Sequence, residues 1–150
     1  MTNAKFKLQE IADAYRKSAE GLSRRVIICA GTGCVANGAL DVHAALVQEI
    51  EKRGMPVIVD LNRHEDGADG THVSKSGCQG FCQMCTLVTI EPDGILYCRV
   101  KPKDVSEIVD RTLVGHEVIE RLLYHDPSGG RACRGTGEIP FYTRQSRTVL

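Results

Sequence analysis

Tryptophan is absent from this 150-residue chain, and Phe, Tyr and Trp together make up only 5% of it. Any core must therefore be built from aliphatic side chains; at 42% hydrophobic residues there are enough of them for one domain. A net charge is also missing, since Lys plus Arg and Asp plus Glu both number 19. No global field attracts nucleic acid, and no such partner is expected. The balance is uneven, however: residues 127–150 carry Arg131, Arg134, Arg144 and Arg147 against Glu138 alone. No apolar run approaches the roughly 20 residues that span a bilayer, so membrane insertion is not expected. Met1 to Lys5 show no secretory h-region, and the expected location is the cytoplasm. Thiols there stay reduced, which leaves the seven cysteines free for metal or redox chemistry.

Five of those cysteines are clustered. Cys29-Ala30-Gly31-Thr32-Gly33-Cys34 is a C-x4-C at the end of an apolar run. Gly77-Cys78-Gln79-Gly80-Phe81-Cys82 supplies a C-x3-C, with Cys85 three residues further on. Four thiolates in two pairs, Cys29 with Cys34 and Cys78 with Cys82, suit a 2Fe–2S cluster. Gly31, Gly33, Gly77 and Gly80 let the backbone come close and turn its amides toward anionic sulfur.

Around these loops the chain alternates helix and strand. Leu8, Ile11, Ala12, Tyr15 and Ala19 recur at helical spacing, giving an amphipathic helix within residues 1–24 whose stripe is expected to pack on the domain. Val26-Ile27-Ile28-Cys29 reads as a buried strand. A helix follows from about Gly38 to Arg53, with Asn37 as N-cap and Val42, Leu46 and Ile50 inward. Pro56 to Leu61 is the next strand, Asn62 to Gly70 a solvated loop, and Thr71 to Ser74 a short strand. Pro92-Asp93-Gly94 turns a β-hairpin between Leu87–Ile90 and Ile95–Val100. From Pro102 one apolar face runs through Val105, Ile108 and Val109, across Gly115, to Val118, Ile119, Leu122 and Leu123, and Pro127 to Gly130 end it. This order predicts an α/β, thioredoxin-like sandwich over residues 25–126, followed by a helical or irregular tail, 127–150, expected to be mobile. Cys98 and Cys133 read as ordinary thiols, and none of the five histidines is assigned to a metal.

Other chemistries use the same cysteines. A structural zinc-binding interaction module also takes four thiolates, although zinc knuckles are usually C-x2-C. Cys78, Cys82 and Cys85 spell a C-x3-C-x2-C of the 4Fe–4S kind, which leaves Cys29 and Cys34 without a purpose. Cys82 and Cys85 form a C-x-x-C that invites a thiol–disulfide oxidoreductase, but no neighbouring basic group lowers a thiol pKa.

Taken together, the C-x4-C, the Gly-Cys-x-Gly-x-Cys, the Leu-Val-x-Ile strand from Leu87 and the Asp-Val-x-x-Ile-Val helix from Asp104 resemble the thioredoxin-like 2Fe–2S ferredoxin family, which includes an iron–sulfur subunit of respiratory complex I. The segment from His116 to Tyr142, with Val-Ile-Glu-Arg-Leu-Leu-Tyr and Glu-Ile-Pro-Phe-Tyr, looks like the connector in a subunit of soluble hydrogenases and related NAD(P)-linked oxidoreductases. There the ferredoxin-like domain precedes an FMN- and NAD(P)H-binding domain and further iron–sulfur regions. The resemblance implies one 2Fe–2S cluster on Cys29, Cys34, Cys78 and Cys82. It implies electron transfer to a flavin partner and to other iron–sulfur subunits, with no catalysis by this chain alone, and residues 127–150 leading toward an absent flavin domain. The family commonly has Gly-Pro where this chain has Cys85-Thr86. Oligomeric state is left open, a homo-oligomer included.

Overall fold

The computed structural model describes residues 8–19, 22–58 and 70–146. Its centre is β1 (Leu22–Cys29), longer than the apolar run that announced it. Val26 and Ile28 are fully buried. The short helix α2 (Thr32–Ala36) carries Cys34, and α3 (Ala39–Lys52) buries Ala39, Val42, Leu46 and Ile50 on one stripe. Asn37 does not cap α3. Its side-chain amide turns back to the Gly33 carbonyl at 2.8 Å, and left-handed Gly38 occupies the cap. Two helices meeting at a corner need that conformation, which asparagine one position earlier cannot supply.

β2 (Val57–Ile58) and β3 (Gly70–Ser76) run parallel to β1, whereas β4 (Val88–Glu91) and β5 (Ile95–Tyr97) are antiparallel, giving the order β2-β3-β1-β4-β5. The mixed α/β sandwich and the hairpin are as the sequence pattern predicted. Apart from Gly70, which opens β3, the polar segment at 62–70 lies outside the described residues, as do 59–61. α1 (Leu8–Ala19) is present, but its stripe does not pack as expected: Leu8 and Ile11 are 73% and 59% exposed. Periodicity identifies an apolar face without saying what covers it. Among the described residues, no helix is long and apolar enough to cross a membrane.

The expected continuous helix from Pro102 to Leu123 is cut at Gly115. A 3-10 turn (Pro102–Asp104) leads through α4 (Val105–Glu107) into a π-helical stretch (Ile108–Val114). There the Glu117 amide caps the Arg111 carbonyl at 2.7 Å, and His116 takes a left-handed φ of 57°. A Cβ on residue 115 would stand 2.8 Å from that same carbonyl, so the closure requires glycine. Ile119, Leu122 and Leu123 are buried all the same, from an extended stretch and a single 3-10 turn (Glu120–Leu122) rather than a continued helix. Tyr97 organises this corner. Thr112 Oγ1 donates to the Glu117 carbonyl at 2.9 Å, the Tyr97 hydroxyl donates to Thr112 at 2.7 Å, and the Ile119 amide donates to Tyr97 at 3.0 Å.

The tail is not a mobile linker over the described residues. β6 (Tyr124–His125) pairs with β7 (Ala132–Cys133), and Pro127 to Gly130 form the turn between them rather than a helix end. The Leu96 amide donates to the Arg134 carbonyl at 2.8 Å, and Cys133 and Ile139 are 2% and 0% exposed. Only a few apolar residues do this anchoring, too few to make a periodic pattern.

Tyr97→Phe removes one hydroxyl yet strands two partners, so chemical unfolding should show a loss of about 1–3 kcal/mol. A second test concerns His72, which is 1% exposed on β3. Burial, then the charge of Arg25, lowers its pKa below the usual 6.5. The unfolded chain takes up a proton there near pH 6.5 and the folded chain does not. Stability is therefore fully present above that pH and falls as pH drops below it. His72→Phe should reduce the difference in urea midpoint between about pH 7.5 and about pH 5.5.

Candidate metal centre

Parallel pairing of β1 with β3 sets Cys29 opposite Ser76, so both cysteine loops leave the same end of the sheet. β4 begins at that end, and the Cys29 amide donates to the Leu87 carbonyl at 3.1 Å. Residues from three separated stretches thus meet at one edge. All seven cysteines are free thiols, and five of them gather here. Cys29, Cys34 and Cys85 are buried, whereas Cys78 and Cys82 face solvent.

The loops touch closely. A Cβ on residue 31 would lie 2.8 Å from Cys78 Cβ and 3.0 Å from its Cα, so the approach needs glycine. Gly33 is looser: a Cβ there would meet Cys85 Sγ at 3.9 Å, an ordinary contact. The Gly80 amide donates to Cys78 Sγ at 3.3 Å, as expected of a glycine turning its amide toward sulfur. Gly77 behaves differently, presenting its carbonyl to Cys29 Sγ at 3.7 Å. The amide that serves Cys29 is that of Gln79, at 3.5 Å, and no sequence signal marks it.

Cys78 Sγ and Cys82 Sγ are 3.9 Å apart. At the roughly 2.3 Å metal–thiolate distance of a tetrahedral site, two thiolates on one ion sit ~3.8 Å apart. That pair fits a shared iron without rearrangement. Burial, then hydrogen bonds with Cys85 and Cys29, holds the Cys34 thiol well above its ordinary range. Contact with Cys78 likewise raises Cys82. Such thiols are neutral until a cation displaces their protons, which is how a metal site loads. The raised Cys82 pKa weighs against Cys82 as the thioredoxin-type nucleophile of a C-x-x-C, whose pKa must fall. Among the described residues, no three His, Cys, Asp or Glu side chains stand so as to hold a single metal ion. A two-iron cluster asks each iron for only two protein thiolates, because sulfide supplies the rest.

The tail closes over this edge. Phe81, in the second cysteine loop, stacks on Phe141 of α5 (Pro140–Thr143) with centroids 4.8 Å apart, and it meets Tyr124 and Tyr142 edge-on at 5.2 and 5.6 Å. The Tyr142 hydroxyl donates to the Gln79 carbonyl at 3.2 Å. Cys98 and Cys133 stand outside the cluster; burial pushes the Cys98 thiol up to about 12.

No protein-family model matches the chain. Over 90 residues it is 32% identical to a 2Fe–2S ferredoxin from Aquifex aeolicus, covering 60% of this chain and 71% of that one. A 2Fe–2S ferredoxin from Clostridium pasteurianum is 26% identical over 89 residues, 59% of this chain and 76% of its own. A solved thioredoxin-like 2Fe–2S ferredoxin from Aquifex aeolicus superposes with a TM-score of 0.54 at 28% identity, covering 71% of this chain and 96% of that one.

The two glycines of the first loop give a paired test. Gly31→Ala should push the Cys78 loop away and lower the iron bound per chain, with far-ultraviolet dichroism unchanged. Gly33→Ala, which makes only an ordinary contact, should bind iron as the unmodified chain does.

Proposed function

This chain belongs to the thioredoxin-like 2Fe–2S ferredoxin family, and we propose that Cys29, Cys34, Cys78 and Cys82 hold its cluster. The observation that carries the ligand set is the meeting of the two loops at one sheet end, with the Cys78 and Cys82 sulfurs 3.9 Å apart. Cys29 and Cys34 supply the buried pair and Cys78 and Cys82 the exposed one. When bound, the cluster supplies one reversible electron by passing between two oxidation states.

The chain's own residues set how readily that electron is held. Amides of Gln79 and Gly80 donate to the sulfurs of Cys29 and Cys78, which favours the more negative state and raises the potential. Gly31 keeps the loops in contact, and Phe81 with Phe141 and Tyr142 packs apolar surface against the second loop. The exposed pair marks the edge where a partner is approached. Electron-transfer partners are assigned here to an FMN- and NAD(P)H-binding domain or subunit and to further iron–sulfur subunits, of the soluble hydrogenase kind. The support is the connector-like segment from His116 to Tyr142, which ends against the cysteine loop. In this reading residues 127–150 lead toward the flavin partner. A cytoplasmic setting, where thiols stay reduced, is part of this reading. No specific observation favours zinc or a Cys82–Cys85 dithiol, because Cys85 faces Cys34 instead.

Full-length protein purified without oxygen should carry two irons and two acid-labile sulfides, and dithionite should give a spin-half EPR signal. Cys82→Ser should shift or abolish that signal, since serine is a harder ligand for iron. Stoichiometric zinc, or four irons per chain, refutes the assignment. Alone, the chain should not oxidise NADH; turnover by a homogeneous preparation refutes the dependence on a flavin partner.

A further inference from the structure

Cys85 has no place in the ligand set, yet it is built into the site. The turn that presents it is a 3-10 helix (Cys82–Met84), closed by the Cys85 amide on the Cys82 carbonyl at 3.3 Å. With three residues per turn, positions i and i+3 eclipse, so Cys82 and Cys85 project toward the same side. Cys82 takes the exposed level and Cys85, at 8% exposure, the buried one. At that level Cys85 Sγ meets Cys34 Sγ at 2.7 Å. Gly33 borders the pair loosely, since a Cβ there would stand 3.9 Å from Cys85 Sγ, an ordinary contact. By comparison, the sulfurs of Cys78 and Cys82 stand more than an ångström further apart, at 3.9 Å.

We propose that Cys34 and Cys85 form a reversible disulfide in the cluster-free chain, an oxidation site that excludes cluster loading while it lasts. The link forms with hydrogen peroxide as oxidant. Cys85, the more accessible of the two, attacks a peroxide oxygen, the O–O bond breaks, and a sulfenic acid and one water result. Cys34 then attacks that sulfur, the S–O bond breaks, and the oxygen leaves as a second water. Two thiols lose two protons and two electrons, and hydrogen peroxide becomes two waters. The sulfurs need close by well under an ångström to reach the about 2.05 Å of a disulfide. A sulfur so bonded is no longer a thiolate, so Cys34 cannot serve iron until a thiol reductant restores it. The gating role rests on Cys34 being a ligand, as proposed above; the disulfide itself does not.

The full chain, with its cluster and after chelation, is treated with stoichiometric hydrogen peroxide, its remaining thiols are blocked, and the digest is mapped by mass spectrometry. In the stripped protein the dominant cross-link should join Cys34 to Cys85, and most iron and sulfide uptake should be lost until dithiothreitol is added. In the loaded protein Cys34 should stay unlinked for as long as the cluster absorption persists. Cys85→Ser, close in size, should load iron normally before oxidation and form no link at Cys34 comparable in yield. A dominant Cys78–Cys82 link, or Cys34 and Cys85 both recovered free, overturns the proposal. Undiminished uptake by linked protein overturns the gate. A chain that takes up no iron under any condition refutes the cluster assignment, and a Cys34–Cys85 link found in it still establishes the oxidation site.

Discussion

Everything at the cysteine edge depends on two parallel strands finishing level with each other. Cys29 opposite Ser76 means that the loops following β1 and β3 start side by side. Side-chain direction alternates along a strand, so a slip of one residue would turn Cys29 to the other face of the sheet and undo the convergence. The register is held from both flanks. The Ala30 amide reaches the Ser76 carbonyl at 3.0 Å on one side, and the Cys29 amide reaches Leu87 at 3.1 Å on the other. Gly31 against Cys78 is the next contact outward, and it exists only because the strands deliver both loops to one place.

Much of this was legible from residue order. The β-branched run, the Val42–Leu46–Ile50 stripe and the Pro-Asp-Gly hairpin each carry a local signal, and each stands where its pattern put it. What failed was whatever depended on a distant partner. Apolar residues at 118–123 continued a helical period, but the carbonyl of Arg111 is taken by Glu117 and the chain turns away. Leu8 and Ile11 formed a good stripe, yet among the described residues they stay exposed. The tail looked like a linker because three or four apolar anchors leave no periodicity.

The same division runs through the site. Spacing and glycines drew attention to five cysteines, but nothing in a C-x-x-C says that its second thiol will turn inward to Cys34 rather than pair with its neighbour. That follows from a three-residue turn that tertiary packing sets against Cys34. The Gln79 amide on Cys29 was equally invisible, because a backbone donor has no letter in the sequence. Aromatic scarcity also reads differently in three dimensions: Phe81, Tyr124, Phe141 and Tyr142 are four of the chain's seven aromatics, and all of them meet beside the second cysteine loop.

The hydroxyl relay at Tyr97 has a dynamic consequence. Residues 116–119 belong to no helix or strand, and such a stretch ordinarily exchanges its amide hydrogens through small local openings. Here the Ile119 amide is spent on a fully buried phenol, which is itself tied to Thr112 and through it to Glu117. Freeing that one amide means lifting β5 from the end of the 102–114 helix. An irregular segment thereby inherits the slow solvent exchange of the core, and its opening reports the cooperative loss of the whole corner.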